Sequence, residues 1–156
     1  MRLTTVTLAA VLSAGAVYAA DVAPGDVVFE DSAVPASLTG TPGDAANGEK
    51  VYASKKMGNC VACHLVSSVD VSFPGTVGPT LDGVADRYSE AELRGLLVNS
   101  KMTFEGTMMP AYYKVDGFTR PGKVYTGKAA DDTFGPLLDA QQIEDVVAFL
   151  GTLKDE

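Results

Sequence analysis

Cys60-Val61-Ala62-Cys63-His64 contains both cysteines and the only histidine of a 156-residue chain. A C-x-x-C-H string is the attachment signature of c-type haem. Each thiol adds across one vinyl group, and the two-residue spacing sets the sulfurs at neighbouring porphyrin edges. The adjacent histidine is then held beneath the iron as its proximal ligand. A thioredoxin-like redox pair is the competing reading of C-x-x-C, but it needs a βαβ setting and leaves His64 without a purpose. A structural zinc site usually takes four N or S ligands, and only three exist here. Ser-His-Asp and Cys-His catalysis would both have to use the same histidine.

With His64 in the fifth position, the sixth cannot be a second histidine or a free thiolate. The candidates are Met57, Met102, Met108, Met109, a lysine, water or nothing. Met57 lies three residues before Cys60, too close to reach the opposite face. Met109 stands out because Pro110 follows it and pushes it into extended geometry. Neighbours in an extended segment point oppositely, so Met108 and Met109 cannot both face one iron.

Outward from the motif, helical signals alternate with long loops. Residues 45–56 read as a helix with Val51 and Tyr52 on its apolar face. The stretch 65–83 is Gly-rich and loop-like. Ser89-Glu90-Ala91-Glu92 is a capping box that opens a helix to about Asn99, with Leu93, Leu96 and Leu97 inward. Residues 102–138 read as loop, broken by Pro110, Pro121 and Pro136. Asp139 and Gln142 repeat the cap spacing before Ile143, Val146, Val147, Leu150 and Leu153. The expectation is an all-α domain over residues 47–156, its long loops wrapping one covalent haem that supplies part of the core.

Two segments precede that domain. Residues 1–19 carry Arg2, an uncharged apolar run and Val17-Tyr18-Ala19, which together read as an export signal cleaved near Ala19 or Ala20. The run is too short for a spanning helix, so no membrane span is expected after cleavage. Residues 20–46 hold Asp21, Asp26, Glu30, Asp31 and Asp44 and no Lys or Arg. With Pro24, Pro35, Pro42 and several glycines they read as an extended acidic arm, with one short strand over Val27-Val28-Phe29. Such an arm is either disordered or laid across another surface.

Charge excludes one class of partner. Twenty acids against twelve basic residues give a net charge of −8, and losing Arg2 makes it −9. Nucleic-acid binding needs clustered Lys and Arg, so no such partner is expected.

Met109-Pro110, some forty residues after C-x-x-C-H, resembles class I cytochrome c. That resemblance implies an N-terminal helix crossed on a C-terminal one, with Gly48 and Tyr52 meeting Val147, Phe149 and Leu150. It implies Met109 as the sixth ligand. It also implies Pro79, in Gly78-Pro79, as the carbonyl that accepts the His64 ring N–H, and Arg87 as a contact for a haem propionate. A closer resemblance runs from Gly75 to Glu90, through Met108-Met109-Pro110-Ala111-Tyr112-Tyr113, and along Gln142 to Leu150. These stretches resemble the SoxX family, the monohaem subunits of periplasmic SoxAX complexes. The segment 121–138 departs from that pattern.

The SoxX resemblance implies an electron-transfer subunit of a heterodimeric L-cysteine S-thiosulfotransferase. Its partner is a SoxA-like haem subunit that carries the catalytic centre and couples thiosulfate oxidatively to a cysteine of the carrier SoxYZ. The monohaem subunit accepts the electrons and relays them to a downstream cytochrome. Elimination agrees, because haem attachment leaves no cysteine or histidine here, and no catalytic residue is expected in this chain. Two other readings stay open. One is a free electron shuttle, with Lys101, Lys114, Arg120 and Lys123 as a docking ring. The other is a gas-binding cytochrome with an open sixth position.

Overall fold

The structure, a computed structural model, describes residues 20–118 and 134–155. The export signal over 1–19 lies outside the described residues, as do Arg120 and Lys123. Among the described residues four α-helices follow in order: α1 (Ala45–Ala53), α2 (Val84–Arg87), α3 (Glu90–Asn99) and α4 (Ala140–Leu150). Among the described residues no strand forms, and the all-α expectation holds.

Helix starts follow local chemistry. Asp44 caps α1 by accepting the Ala46 and Asn47 amides. Ser89 with Glu92, and Asp139 with Gln142, close reciprocal capping boxes on α3 and α4. Helix α1 stops at Ala53, three residues short of its expected end at Lys56. The Gly58 and Asn59 amides turn back onto Val51 O and Ser54 O, and Asn59 adopts φ +50°. That reversal swings the chain away from the helix axis and into the attachment motif.

Helices α1 and α4 make the main contact. Gly48 allows it, because a Cβ there would come within 2.0 Å of the Asp145 carbonyl oxygen. One turn on, the Tyr52 and Phe149 rings pack at 5.6 Å and 45°. Val51, Ile143, Val146, Val147 and Leu150 fill the seam and are all buried. In α3, Leu93 and Leu97 are buried and Leu96 half-buried, and all three border a cavity described below.

Residues 20–46 lie on this chain's own helices. Val34 and Leu38 are fully buried. The Val34 amide donates to Ala91 O and the Val22 amide to Leu38 O. A strand over Val27–Phe29 does not form; Pro24–Asp26 make a 3-10 turn, and one isolated bridge joins Glu30 to Ala33. No neighbouring strand offers Val27–Phe29 a ladder, so their pattern has nothing to pair with. Gly95 lets the segment sit close, since a Cβ there would reach within 2.1 Å of Ser32 O.

A buried charge cluster fastens the segment down. Arg94 Nε donates to Glu144 Oε1 at 2.9 Å, Nη1 to Val34 O at 3.0 Å, and Nη2 pairs with Glu90. Glu144 Oε1 also accepts the Leu38 amide at 2.7 Å. Burial works against the Arg94 charge, but the hydrogen bonds it donates to Glu144 and Glu90 outweigh that and hold its pKa above the usual value. The segment therefore belongs to the folding unit of the helices. Leu38→Ala is expected to destabilise the protein by about 2–5 kcal/mol, read as a lower denaturation midpoint. A midpoint unchanged from wild type would mean that the segment contributes no core.

Candidate haem site

An apolar cavity of about 530 Å³ opens between α3, α4 and the loops on either side. That is within the ~300–1,000 Å³ typical of cofactor and ligand sites. Tyr52, Leu81, Val84, Leu93, Leu96, Leu97, Val146 and Leu150 supply much of its lining. Cys60, Cys63, His64, Pro79, Arg87 and Met109 all border it. A second hollow of about 650 Å³ lies between the N-terminal segment, α3 and α4, but no cysteine, histidine or methionine borders it. Chemistry rather than size distinguishes the two.

The motif follows α1 on a tight turn. Cys60–Ala62 form a 3-10 turn, and the Cys63 and His64 amides both donate to Cys60 O. Tight winding brings both thiols and the imidazole to one wall. No disulfide joins the two cysteines, which leaves both sulfurs available for thioether bonds.

His64 is oriented by the loop after it. Its Nδ1 lies 2.8 Å from Pro79 O. A carbonyl oxygen only accepts, so Nδ1 carries the hydrogen and Nε2 keeps the lone pair that a metal ion needs. Gly78 is the floor beneath the ring; a Cβ there would reach within 2.3 Å of His64 Cε1. From α1, Tyr52 Oη donates to His64 O at 2.7 Å and fixes the backbone end.

Met108 and Met109 both border the cavity, so the two do not face opposite ways. They differ in burial: Met109 is half-buried against the core, whereas Met108 is 76% exposed. Ser100 Oγ donates to Met109 O at 2.9 Å, and Lys101 Nζ donates to the same oxygen. Thr107 Oγ1 accepts the Met109 amide at 3.2 Å. Met57 and Met102 do not border the cavity. Arg87 does, and two of its N–H groups donate to Asp82 O at 2.8 Å and Thr80 O at 3.1 Å.

Sequence reasoning missed several supports. Tyr112 Oη donates to Gly58 O at 3.0 Å and braces the turn before Cys60. Its place after Met109-Pro110 was visible, but not the residue it would meet. Asp82 accepts bonds from Ser67 and Thr80, and no spacing signal announced that group.

The cytochrome c family model matches residues 45–154. This chain belongs to the cytochrome c family. A chain of the SoxXA crystal structure from P. pantotrophus is 56% identical to it, over 87% of this chain and 100% of that one, with a TM-score of 0.82. Ferric cytochrome c-550 from Paracoccus versutus is 25% identical over 72% of this chain and 99% of that one, with a TM-score of 0.40. Among curated proteins none matches. Within the cytochrome c family the resemblance to SoxX therefore stands, and with it one covalently bound haem c.

The residues of this cytochrome fit that group. The cavity is apolar, two thiols and an imidazole with a free Nε2 share one wall, and glycine at 78 keeps the ring's space clear. Among the described residues no group of three or more His, Cys, Asp or Glu is placed to hold a bare metal ion. None of the described helices is long and apolar enough to cross a membrane.

Proposed function

We propose that this chain is the electron-accepting monohaem subunit of a periplasmic heterodimer with a SoxA-like haem subunit. That complex oxidatively couples thiosulfate to a cysteine of the carrier SoxYZ, and this subunit relays the electrons to a downstream cytochrome. The observation that carries the reading is the 56% identity to a chain of SoxXA along that chain's whole length. When bound, haem c supplies reversible one-electron storage.

The chain's own residues hold that group and shape its surroundings. Cys60 and Cys63 would hold the haem through thioethers. His64 would bind its iron through Nε2, its ring held by Pro79 O through Nδ1. Met109, held by Ser100 and Lys101 through its carbonyl, would supply a thioether ligand. A thioether in that position favours ferrous iron and raises the potential, which suits an electron acceptor. Arg87 spends two of its five N–H groups on loop carbonyls and keeps the others for a propionate. The leucines and valines of α3 and α4 exclude water. Catalytic chemistry falls to the partner, because both thiols and the imidazole are used here.

Co-purification from the native periplasm tests the reading. The tagged mature chain is expected to bring down one haem-bearing partner in a one-to-one ratio. Its haem absorbance is then expected to turn ferrous when thiosulfate and SoxYZ are added to the pair. A lone monohaem monomer, reduced equally well without that partner, would make it a free electron shuttle instead.

A further inference from the structure

The segment that leaves the attachment motif returns along it, bond by bond. Gly75 N donates to Val61 O and Gly78 N to Cys63 O, both at 2.8 Å. His64 Nδ1 then meets Pro79 O, and Leu81 N donates to Leu65 O at 2.9 Å. Just past this ladder one side chain joins its two arms. Asp82 accepts the Ser67 amide at 2.8 Å, Ser67 Oγ at 2.6 Å and Thr80 Oγ1 at 3.0 Å. From α2, Arg87 grips the same stretch through Asp82 O and Thr80 O. Ser67 follows His64 by three residues, and Asp82 follows Pro79 by three. The carboxylate thus closes the ladder that the His64–Pro79 bond belongs to.

We propose that Asp82 is a positioning residue for the axial histidine. Its carboxylate, bonded by Ser67 and Thr80 while Arg87 holds the backbone of the same arm, keeps the Pro79 carbonyl on His64 Nδ1 and so tunes the haem's reduction potential. The inference rests on His64 being the axial ligand. The physical argument is competition with water. The ring Nδ1 has one partner, and a single hydrogen bond is readily traded for one to solvent wherever water reaches it. The two charge-assisted bonds that Ser67 donates to Asp82 across the arms make that exchange costly. A partner on the far ring nitrogen fixes tautomer and orientation and raises the basicity of the liganding nitrogen. A more basic ligand favours ferric iron, so loosening the clamp raises the potential. The ring also rests on Gly78, so any shift of the returning arm reaches it directly. Ser67 and Thr80 hydroxyls and the Ser67 amide, with Arg87 nearby, hold the Asp82 carboxyl below its ordinary range, consistent with an ionised clamp at neutral pH.

The test uses covalent holoprotein carrying Asp82→Ala or Asp82→Asn. Two quantities are read: the midpoint potential and the hydrogen-exchange rate of the His64 ring N–H. Asparagine removes the charge but keeps an acceptor for the Ser67 amide. Asp82→Ala is expected to raise the potential and speed the ring exchange several-fold. Asp82→Asn is expected to keep exchange slow and to move the potential less. Equal potential shifts in both variants with wild-type exchange would overturn the proposal, because Asp82 would then act through its charge alone. No change in either reading would overturn it too. Should Asp82→Ala fail to hold haem, Ser67→Ala removes the Oγ bond and leaves the amide bond. It must move both readings in the same direction by less, and wild-type values there would refute the clamp. A failure of the underlying assignment is separately visible. Wild-type holoprotein would then lack the paramagnetically shifted resonances of the His64 ring.

Discussion

Cys60→Ser or Cys63→Ser will leave little or no stable covalent holoprotein when the chain is produced with haem-attachment machinery. A serine hydroxyl does not add to a vinyl group as a thiol does, so each change deletes one thioether. Cys60 has a structural share in the loss as well. It is buried under Tyr112 and next to Gly58, where a polar hydroxyl is a poor substitute for sulfur. The cavity that the thioethers close is lined from α3 and α4, and those linings would face water without haem. Misfolding is therefore expected to accompany the lost cofactor. The check is a denaturing gel stained for covalent haem beside a blot for total chain. Ordinary haem stain per chain in both variants would remove the attachment assignment.

Met109→Ala will abolish the far-red absorbance band of methionine-ligated ferric haem and lower the reduction potential. Axial ligands set haem potentials over a span of ~0.8 V, and loss of the thioether should cost a sizeable part of it. The fold should persist, because Met109 is only half-buried and its carbonyl, which Ser100 and Lys101 grip, survives the change. Visible spectra and a redox titration read both effects. An unchanged band would move the ligand to Met108, the other methionine that borders the cavity. Met102, an alternative by sequence position alone, does not border it.

Much of the fold was legible because its signals are local. The caps at Ser89 and Asp139 are satisfied within four residues, so a sequence window contains the whole interaction. The apolar spacing of Ile143, Val146, Val147 and Leu150 describes one helix face whatever it packs against. Gly48 was legible only through resemblance, since a lone glycine does not say which backbone will approach it. The acidic segment 20–46 reads as an arm either disordered or laid across another surface, and composition does not say which surface. Val34 and Leu38 enter the core of this chain from irregular backbone, which no periodicity announces. The Arg94–Glu144 pair was invisible, because its members lie fifty residues apart and each alone looks like a surface charge.

The attachment chemistry was decided by sequence alone. Two thiols and one imidazole within five residues leave one plausible use, and covalent spacing needs no fold to set it. Tertiary structure decided what surrounds that string. It chose Met109 over Met102 for the cavity wall and gave Arg87 two loop carbonyls to hold. It also brought Asp82 across to Ser67 and laid the N-terminal segment over α3 and α4. These outcomes depend on which distant backbone meets which side chain. Packing and long-range hydrogen bonds determine that, and no periodicity in the chain records them.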